Sequence, residues 1–144
     1  MTIKQLSVFI ENRDGSLAEV ASKLAENGIN IASLSLADTS DYGMLRMVVS
    51  EPKRAKEILK EAGFSAMITE VIAIKLPNKM GTLNDVLVHF AEKNISIEYM
   101  YVLSTSDISS IIMKITDVEK GVKTLLDNGF ELLSNSEAEK INQV

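Results

Sequence analysis

Residues 11–17 carry the side chains of this chain that are best suited to bind a small molecule. The amide of Asn12 can both donate and accept hydrogen bonds. Gly15 tolerates backbone angles that other residues avoid, and it lets a ligand approach the main chain. The N–H groups and the dipole at the start of the following helix favour an anion such as a carboxylate. We therefore predict a binding turn formed by Asn12, Arg13, Asp14, Gly15, Ser16 and Leu17.

The same segment returns 66 residues later, with Gly81 in the position of Gly15. Identical residues recur at this spacing without a gap, as in Ala25 and Ala91. The repeat predicts a second binding turn, formed by Asn78, Lys79, Met80, Gly81, Thr82 and Leu83. These residue types also suit an ordinary tight turn, and a duplicated fold duplicates its turns. The repeat alone therefore adds little to the binding hypothesis.

Few residues could support catalysis or metal binding. His89 is the single histidine and falls beside the apolar stripe of its helix, which is typical of a surface position. Cysteine is absent, so the usual zinc sites and a cysteine nucleophile are excluded. Neither a nucleophile elbow nor a phosphate-binding glycine loop occurs. We expect no enzyme activity, no metal and no cofactor.

Charge and hydropathy limit the partners. The 144 residues have a formal net charge of −5 and a pI of about 4.9, without a cluster of Lys and Arg, which disfavours nucleic acid. Tyr99 and Tyr101 alternate on one strand as in an RNA-binding sheet, but Ser33 and Ser35 replace them in the first repeat. No apolar run approaches the ~20 residues of a membrane span, and no leader opens the chain. We expect a cytoplasmic protein that contacts no membrane.

The apolar periodicity predicts two copies of the strand-helix-strand-strand-helix-strand order found in ferredoxin-like domains. The first copy comprises strands at 3–10, 30–36 and 44–50, helices at 16–27 and 52–62, and a final strand from Phe64. The fold class is therefore α+β, with one domain at 1–69 and another at 70–144.

Three local signals mark the ends of elements. Ser16 followed by Glu19 suggests a capping box at the first helix. Asp117 is a suitable cap for the second helix of the second copy. The tail from Ser134 is polar, and we expect it to fray.

The glycine turn, followed by Gly28-Ile29-Asn30-Ile31, resembles the ACT domain, a regulatory module that binds amino acids. The resemblance covers both repeats, and so indicates a tandem ACT protein. It implies that two ACT domains join their sheets side by side with the helices on one face. It also implies that an amino acid binds between the first loop of one domain and the second strand of the other. This adds Asn30 and Ile31, and their repeats Ser96 and Ile97, to the expected sites.

The resemblance also informs the choice of ligand. Serine-binding ACT domains use two asparagines that align with Asn12 and Asn30, and a histidine whose position is occupied here by Ile10. This departure argues against serine. Our leading hypothesis is a non-catalytic sensor of a free amino acid that regulates a metabolic enzyme and, because sheet edges are exposed, forms a homodimer. The alternative is a regulatory subunit or oligomerisation module that acts without a ligand.

Overall fold

The computed structural model describes residues 1–38, 41–77, 79–104 and 109–141, with the side chain of residue 141 excepted. The chain divides into two compact units. The first unit comprises Lys4–Thr69 and residues 138–141, and the second comprises Met1–Ile3 and Glu70–Glu137. Both units have the βαββαβ order, so the predicted α+β fold with two tandem ferredoxin-like domains is confirmed.

The first unit is built on a sheet with the strand order β2-β3-β1-β4. Strands β1 and β3 are antiparallel, and so are β2 and β3. Only Ser65–Thr69, the first part of β4, belongs to this unit. Its elements are β1 (Ile3–Glu11), α1 (Ser16–Glu26), β2 (Ile31–Asp38), β3 (Tyr42–Val49), α2 (Pro52–Glu61) and β4 (Ser65–Lys75).

The second unit repeats this arrangement with the strand order β5-β6-β4-β7. The strand register also repeats, because Leu6 opposite Met47 becomes Ile72 opposite Met113 at the 66-residue offset. Its further elements are α3 (Thr82–Glu92), β5 (Ile97–Ser104), β6 (Ser109–Ile115), α4 (Val118–Asp127) and β7 (Glu131–Leu132). Helix α5 (Asn135–Ile141) begins in this unit, and its residues 138–141 are assigned to the first.

Each unit has its own apolar core on one face of its sheet. In the first unit, Val20 and Leu24 of α1 and Ala55 and Leu59 of α2 are fully buried. They pack on inward-facing strand residues such as Leu6. At about 25 cal/mol per Å² of apolar surface, burial of this kind is the main favourable term in folding. The two helices therefore cover the same side of the sheet.

The second unit fills the equivalent core with a different set of side chains. Phe90 takes the position of Leu24, Ile115 that of Val49, and Gly121 that of Ala55. Phe90 and Ile115 are buried. A Cβ atom added to Gly121 would overlap the Cδ1 of Ile115. The side chain of Ile115 therefore occupies the space that a side chain at position 121 of helix α4 would need.

The structure confirms some of the predicted helix ends and corrects others. The carboxylate of Asp117 accepts a hydrogen bond of 3.0 Å from the Lys120 N–H, as predicted. The predicted capping box at α1 is wrong, because Gly15 occupies the cap position without a side-chain hydrogen bond. Ser16 lies inside the helix and is buried, and Glu19 pairs instead with Arg13.

The expectation that the tail frays from Ser134 is also wrong, because residues 135–141 form α5. A capping box begins this helix: the Glu137 N–H donates to Ser134 Oγ at 3.1 Å, and the Ser134 N–H donates to Glu137 Oε1 at 3.2 Å. Lys75 Nζ lies 3.0 Å from Glu137 Oε2. The polar composition of the tail thus reflects capping and ion pairing.

Candidate functional site

The first glycine turn connects β1 to α1 through a short hydrogen-bonded bend. The Arg13 N–H donates to the Glu11 carbonyl at 2.9 Å, and the Ser16 N–H donates to the Arg13 carbonyl at 3.3 Å. Gly15 has φ 85°, in the left-handed region where a side chain is strained. Glycine is therefore required by the backbone itself, before any ligand is considered.

The second glycine turn has the same backbone hydrogen bonds. The Lys79 N–H donates to the Pro77 carbonyl at 2.7 Å, and the Thr82 N–H donates to the Lys79 carbonyl at 3.4 Å. Gly81 has φ 88°. Asn78, the predicted counterpart of Asn12, lies outside the described residues. The two turns therefore share one main-chain conformation, which places a helix N-terminus at the same point of each unit.

A shallow cleft of about 420 Å³ opens at the second turn. It brings together four of the predicted residues, Lys79, Gly81, Thr82 and Leu83. Met80 is 98% exposed and does not line it. Sequence reasoning missed four further lining residues, Leu76, Pro77, Asn84 and Leu87. Of these, Leu87 could have been found, since it lies one helical turn after Leu83 and so projects to the same side.

The basic side chains at the two turns have different partners. Arg13 Nη1 and Nη2 lie 3.1 and 3.2 Å from the two carboxylate oxygens of Glu19, and Arg13 Nε lies 3.4 Å from Glu11. The hydrogen bond from Arg13 lowers the pKa of the Glu19 carboxyl, and the same pairing raises the pKa of Arg13. Lys79 forms no ion pair with any residue that the structure describes. Its charge is therefore more available to an anion than the charge of Arg13.

The first helical residues of the two turns also differ. Thr82 is buried and its hydroxyl donates to the Lys79 carbonyl at 3.0 Å. Ser16 is buried too, but among the described residues its hydroxyl has no hydrogen-bond partner. An unpaired buried hydroxyl costs free energy, typically about 1–3 kcal/mol. The first turn therefore retains an unused polar group directly beneath its helix N-terminus.

Asn12 and Asn30 lie at opposite ends of β3. The Asn12 N–H donates to the Asp41 carbonyl at 3.3 Å, just before β3 begins. The Asn30 N–H donates to Ser50 Oγ at 3.0 Å, just after β3 ends. At about 3.3 Å per strand residue, this places the two asparagines roughly 25–30 Å apart. One small ligand cannot contact both asparagines of the same unit.

The remaining predicted residues also fall into two groups, one at the glycine turns and one at the start of the edge strands. Asp14 and Leu17 are exposed beside the first turn, and Ile31 is partly buried at the start of β2. Ser96 repeats the position of Asn30, since its N–H donates to Thr116 Oγ1 at 3.1 Å. Ile97 repeats the position of Ile31 at the start of β5. Within each unit, the described residues of the glycine turn therefore lie together. The predicted residues at the start of the edge strand, Asn30 and Ile31 or Ser96 and Ile97, lie apart from that turn.

The described residues contain neither a cluster suited to a metal ion nor a helix suited to span a membrane. Within the described ranges, no three His, Cys, Asp or Glu side chains are grouped in a way that could hold a metal ion. The His89 ring packs edge-on against Phe130, with 6.0 Å between ring centroids. None of the helices in the described part of the chain combines the length and apolar character needed to span a membrane.

Comparison with known proteins identifies the family to which the chain belongs. The model described as an ACT domain pair matches residues 1–142. An acetolactate synthase small subunit from Mycobacterium leprae (strain TN) is 28% identical over 151 residues, which cover 90% of this chain and 89% of that protein.

Solved structures agree with the fold. Protein BT0572 from Bacteroides thetaiotaomicron has a TM-score of 0.91 and 36% identity, with 97% of each chain covered. The ligand-free regulatory subunit of aspartate kinase from Thermus thermophilus has a TM-score of 0.60 at 18% identity, covering 88% of this chain and 92% of that one. The resemblance inferred from the glycine turns is confirmed, and the chain belongs to the ACT domain pair family.

Proposed function

We propose that this protein is a non-catalytic regulatory protein that binds a free amino acid at its glycine turns and transmits the occupancy to a partner enzyme. The observation that carries the proposal is the repeated turn, in which a left-handed glycine precedes a helix N-terminus in both units. The first N–H groups of a helix lack intrahelical partners and attract a carboxylate. The ACT domain pair family is consistent with this role.

The second turn is the stronger carboxylate site in this proposal. Its cleft is lined by Lys79, whose charge no described residue neutralises, and by Gly81 at the start of α3. Leu83 and Leu87 supply an apolar surface for the ligand side chain. A charge at a helix end contributes about 0.3–1 kcal/mol, and each hydrogen bond about 1 kcal/mol. Affinity between micromolar and millimolar follows, roughly −8 to −4 kcal/mol.

A second copy of the chain would complete the site of the first unit. Asn12 lies beside Asp41 at one end of the β2–β3 hairpin, whereas Asn30 precedes the other end of β2. Antiparallel pairing of β2 with the β2 strand of a second copy would bring Asn30 of one copy to the Asn12 end of the other. Three strand spacings would then separate the two asparagines, about 14 Å, a span suited to an amino acid with one amide on each side.

Apolar side chains on the edge strands support such pairing. Leu34 and Leu36 of β2 lie opposite the core residues Met47 and Leu45, so they share the core face of the sheet, yet both are exposed. At the 66-residue offset, Met100 and Val102 of β5 are exposed in the same way. Exposed apolar edge strands are sites of association with another chain. We therefore propose a homodimer formed through these edges.

The partner enzyme is proposed from the relatives. A protein named as a small subunit of acetolactate synthase aligns with nine-tenths of this chain. A similar role would make this chain the regulatory component of a complex whose catalytic component is another protein. The alternative function, an assembly module whose turns bind nothing, rests on the same relative.

Calorimetry with the twenty amino acids tests the ligand. We expect at least one to bind, and Lys79→Ala to weaken that binding by about tenfold because one carboxylate partner is lost. Lys93→Ala is the matched control, since it removes the same charge from the other end of α3. Binding of no amino acid, together with a folded protein, would favour the assembly module.

Sedimentation of Leu34→Glu tests the dimer. A charge placed on the exposed edge should shift the protein to monomers, while Met100→Glu shows whether β5 also takes part. A wild-type monomer at micromolar concentration would contradict the proposed pairing.

A further inference from the structure

A second cleft, of about 310 Å³, lies in the first unit, next to its glycine turn. It opens between the C-terminal end of β1, the start of β3 and the loop that joins α2 to β4. Arg13 of the first glycine turn lines it, whereas Asn12, Gly15 and Leu17 do not. The amide and the glycine backbone of the proposed amino-acid site therefore do not account for this cleft.

One wall of this cleft is aromatic. The rings of Phe9 and Tyr42 lie 5.6 Å apart between centroids, tilted by 53°, and both side chains are exposed. Phe64, which packs partly on the core, also lines the cleft. A cation held over such rings is attracted to their faces, by about 0.5–1 kcal/mol at an exposed site. These exposed rings can therefore bind a ligand that combines an apolar group with a positive charge.

The lining of the cleft also carries an excess of negative charge, and Glu11 lies directly across from Tyr42 in the β1–β3 pairing. Glu11, Arg13 and Glu19 all line it, so two carboxylates face one guanidinium. Arg13 lies between the two carboxylates, using Nη1 and Nη2 for Glu19 and Nε for Glu11. Its positive charge is thereby balanced, and one negative charge remains. An anionic ligand would meet net repulsion here, whereas a cation would be attracted.

We propose that this cleft binds a primary amine with an aromatic or apolar body, with its ammonium at Glu11 and Glu19 and its body on the Phe9–Tyr42 wall. The ligand carries a single positive charge and no carboxylate, which distinguishes it from the amino acid proposed for the glycine turns. The second unit has Lys75 at the position of Phe9 and Pro77 at that of Glu11. The site therefore belongs to the first unit alone.

Titration of the full chain with matched probes, followed by amide NMR shifts, tests the charge requirement. Phenethylamine and 3-phenylpropionate share a ring and a two-carbon chain but have opposite charges. We expect phenethylamine to bind about tenfold more tightly than 3-phenylpropionate, with L-phenylalanine between them. Equal affinity of the two probes, or no shifts with the amine up to about 10 mM, would overturn the proposal.

Substitutions in the cleft test which side chains bind the amine. Arg13→Gln should strengthen amine binding several-fold because it removes the balancing charge, and weaker binding in this variant would refute the proposed orientation. Tyr42→Ala and Glu19→Gln should each weaken binding by at least about threefold. Glu119→Gln, in the first turn of α4, removes the same charge elsewhere and should leave binding unchanged. Amino-acid binding that depends on Lys79 would persist if the amine site failed, so the two proposals fail separately.

Discussion

The two units form their glycine turns with the same backbone hydrogen bonds, but they surround them with different charges. In the first unit Arg13 is held by Glu11 and Glu19. In the second unit the matching Lys79 forms no ion pair with a described residue. The backbone of a turn is set by a left-handed glycine and local hydrogen bonds, which tolerate many side chains around them. Duplicated domains can therefore keep the backbone geometry of a turn while changing the charges around it.

The cores show a related contrast between shared backbone and exchanged volume. Leu24, Val49 and Ala55 of the first unit correspond to Phe90, Ile115 and Gly121 of the second. Interiors are packed to nearly crystalline density, and the larger Ile115 fills the space beside Gly121 that a Cβ atom would occupy. The lesson is that single positions of the two units are not interchangeable, although their folds are.

The contrast between the two cores is tested by making Gly121 resemble its counterpart. We expect Gly121→Ala to destabilise the protein by up to about 2 kcal/mol, because overpacking costs about 1–3 kcal/mol and better helix propensity offsets about 1. Adding Ile115→Val removes the overlapping Cδ1 and should recover about 1 kcal/mol relative to additivity. Urea denaturation of the four proteins in the cycle measures the coupling, and strictly additive effects would contradict the volume argument. Ala55→Gly is the control in the first unit.

The equivalence of the two turns is tested next. Gly15→Ala and Gly81→Ala should each cost about 1–2 kcal/mol, since neither added Cβ meets another atom and the strain arises from positive φ alone. The two losses should agree within about half a kcal/mol when measured by urea denaturation. Gly28→Asn is a suitable control, because Asn94 already adopts φ 58° at the equivalent position. A large difference between the two glycines would show that the turns are not energetically equivalent.

The smallest effect concerns Lys75, which occupies the position held by Phe9 in the first unit. Its hydrogen bond with Glu137 lowers the pKa of Glu137 and raises that of Lys75. A lowered carboxyl pKa gives stability that is present above the unfolded value near 4.5 and is lost as the pH falls through the folded value. The pair is partly exposed, so we expect Glu137→Gln to cost at most about 1 kcal/mol at pH 7.

Thermal unfolding between pH 3 and pH 7 measures this effect. The difference in stability between wild type and Glu137→Gln should shrink towards pH 3. As the Glu137 carboxyl becomes protonated, position 137 becomes uncharged in the wild type, as it already is in the variant. Glutamine retains the hydrogen-bonding capacity of the capping box, so it separates charge from capping. A constant difference across this range would show that the ion pair contributes nothing.

The sequence predicted the architecture well because the relevant signals are local. Gly15 and Gly81 are recognisable as turn residues, and the apolar periodicity identified the two helices and the sheet strands of each βαββαβ unit, although not α5. The identical spacing of the two halves agrees with the matching strand registers found in the structure. Periodicity and glycine conformation act over a few residues, so neither depends on knowing the tertiary structure.

Side-chain partners could not be predicted in the same way. Glu19 was expected to cap α1, but Arg13 lies close enough to take both of its carboxylate oxygens. The aromatic wall joins Phe9 of β1 to Tyr42 of β3, which are 33 residues apart in sequence. Such pairs depend on strand register and loop path, so residue spacing alone does not reveal them. For the same reason, the separation of Asn12 and Asn30 became visible only in the folded chain.

The matching hydrogen bonds of the two glycine turns have an evolutionary consequence. Because neither turn contains an insertion relative to the other, point substitutions alone can convert the side chains of one into those of the other. When a gene encodes the loop twice, selection can preserve the side chains of one copy. The other copy can then accumulate substitutions that change which ligand it binds. Internal duplication thus supplies a spare copy within a single polypeptide.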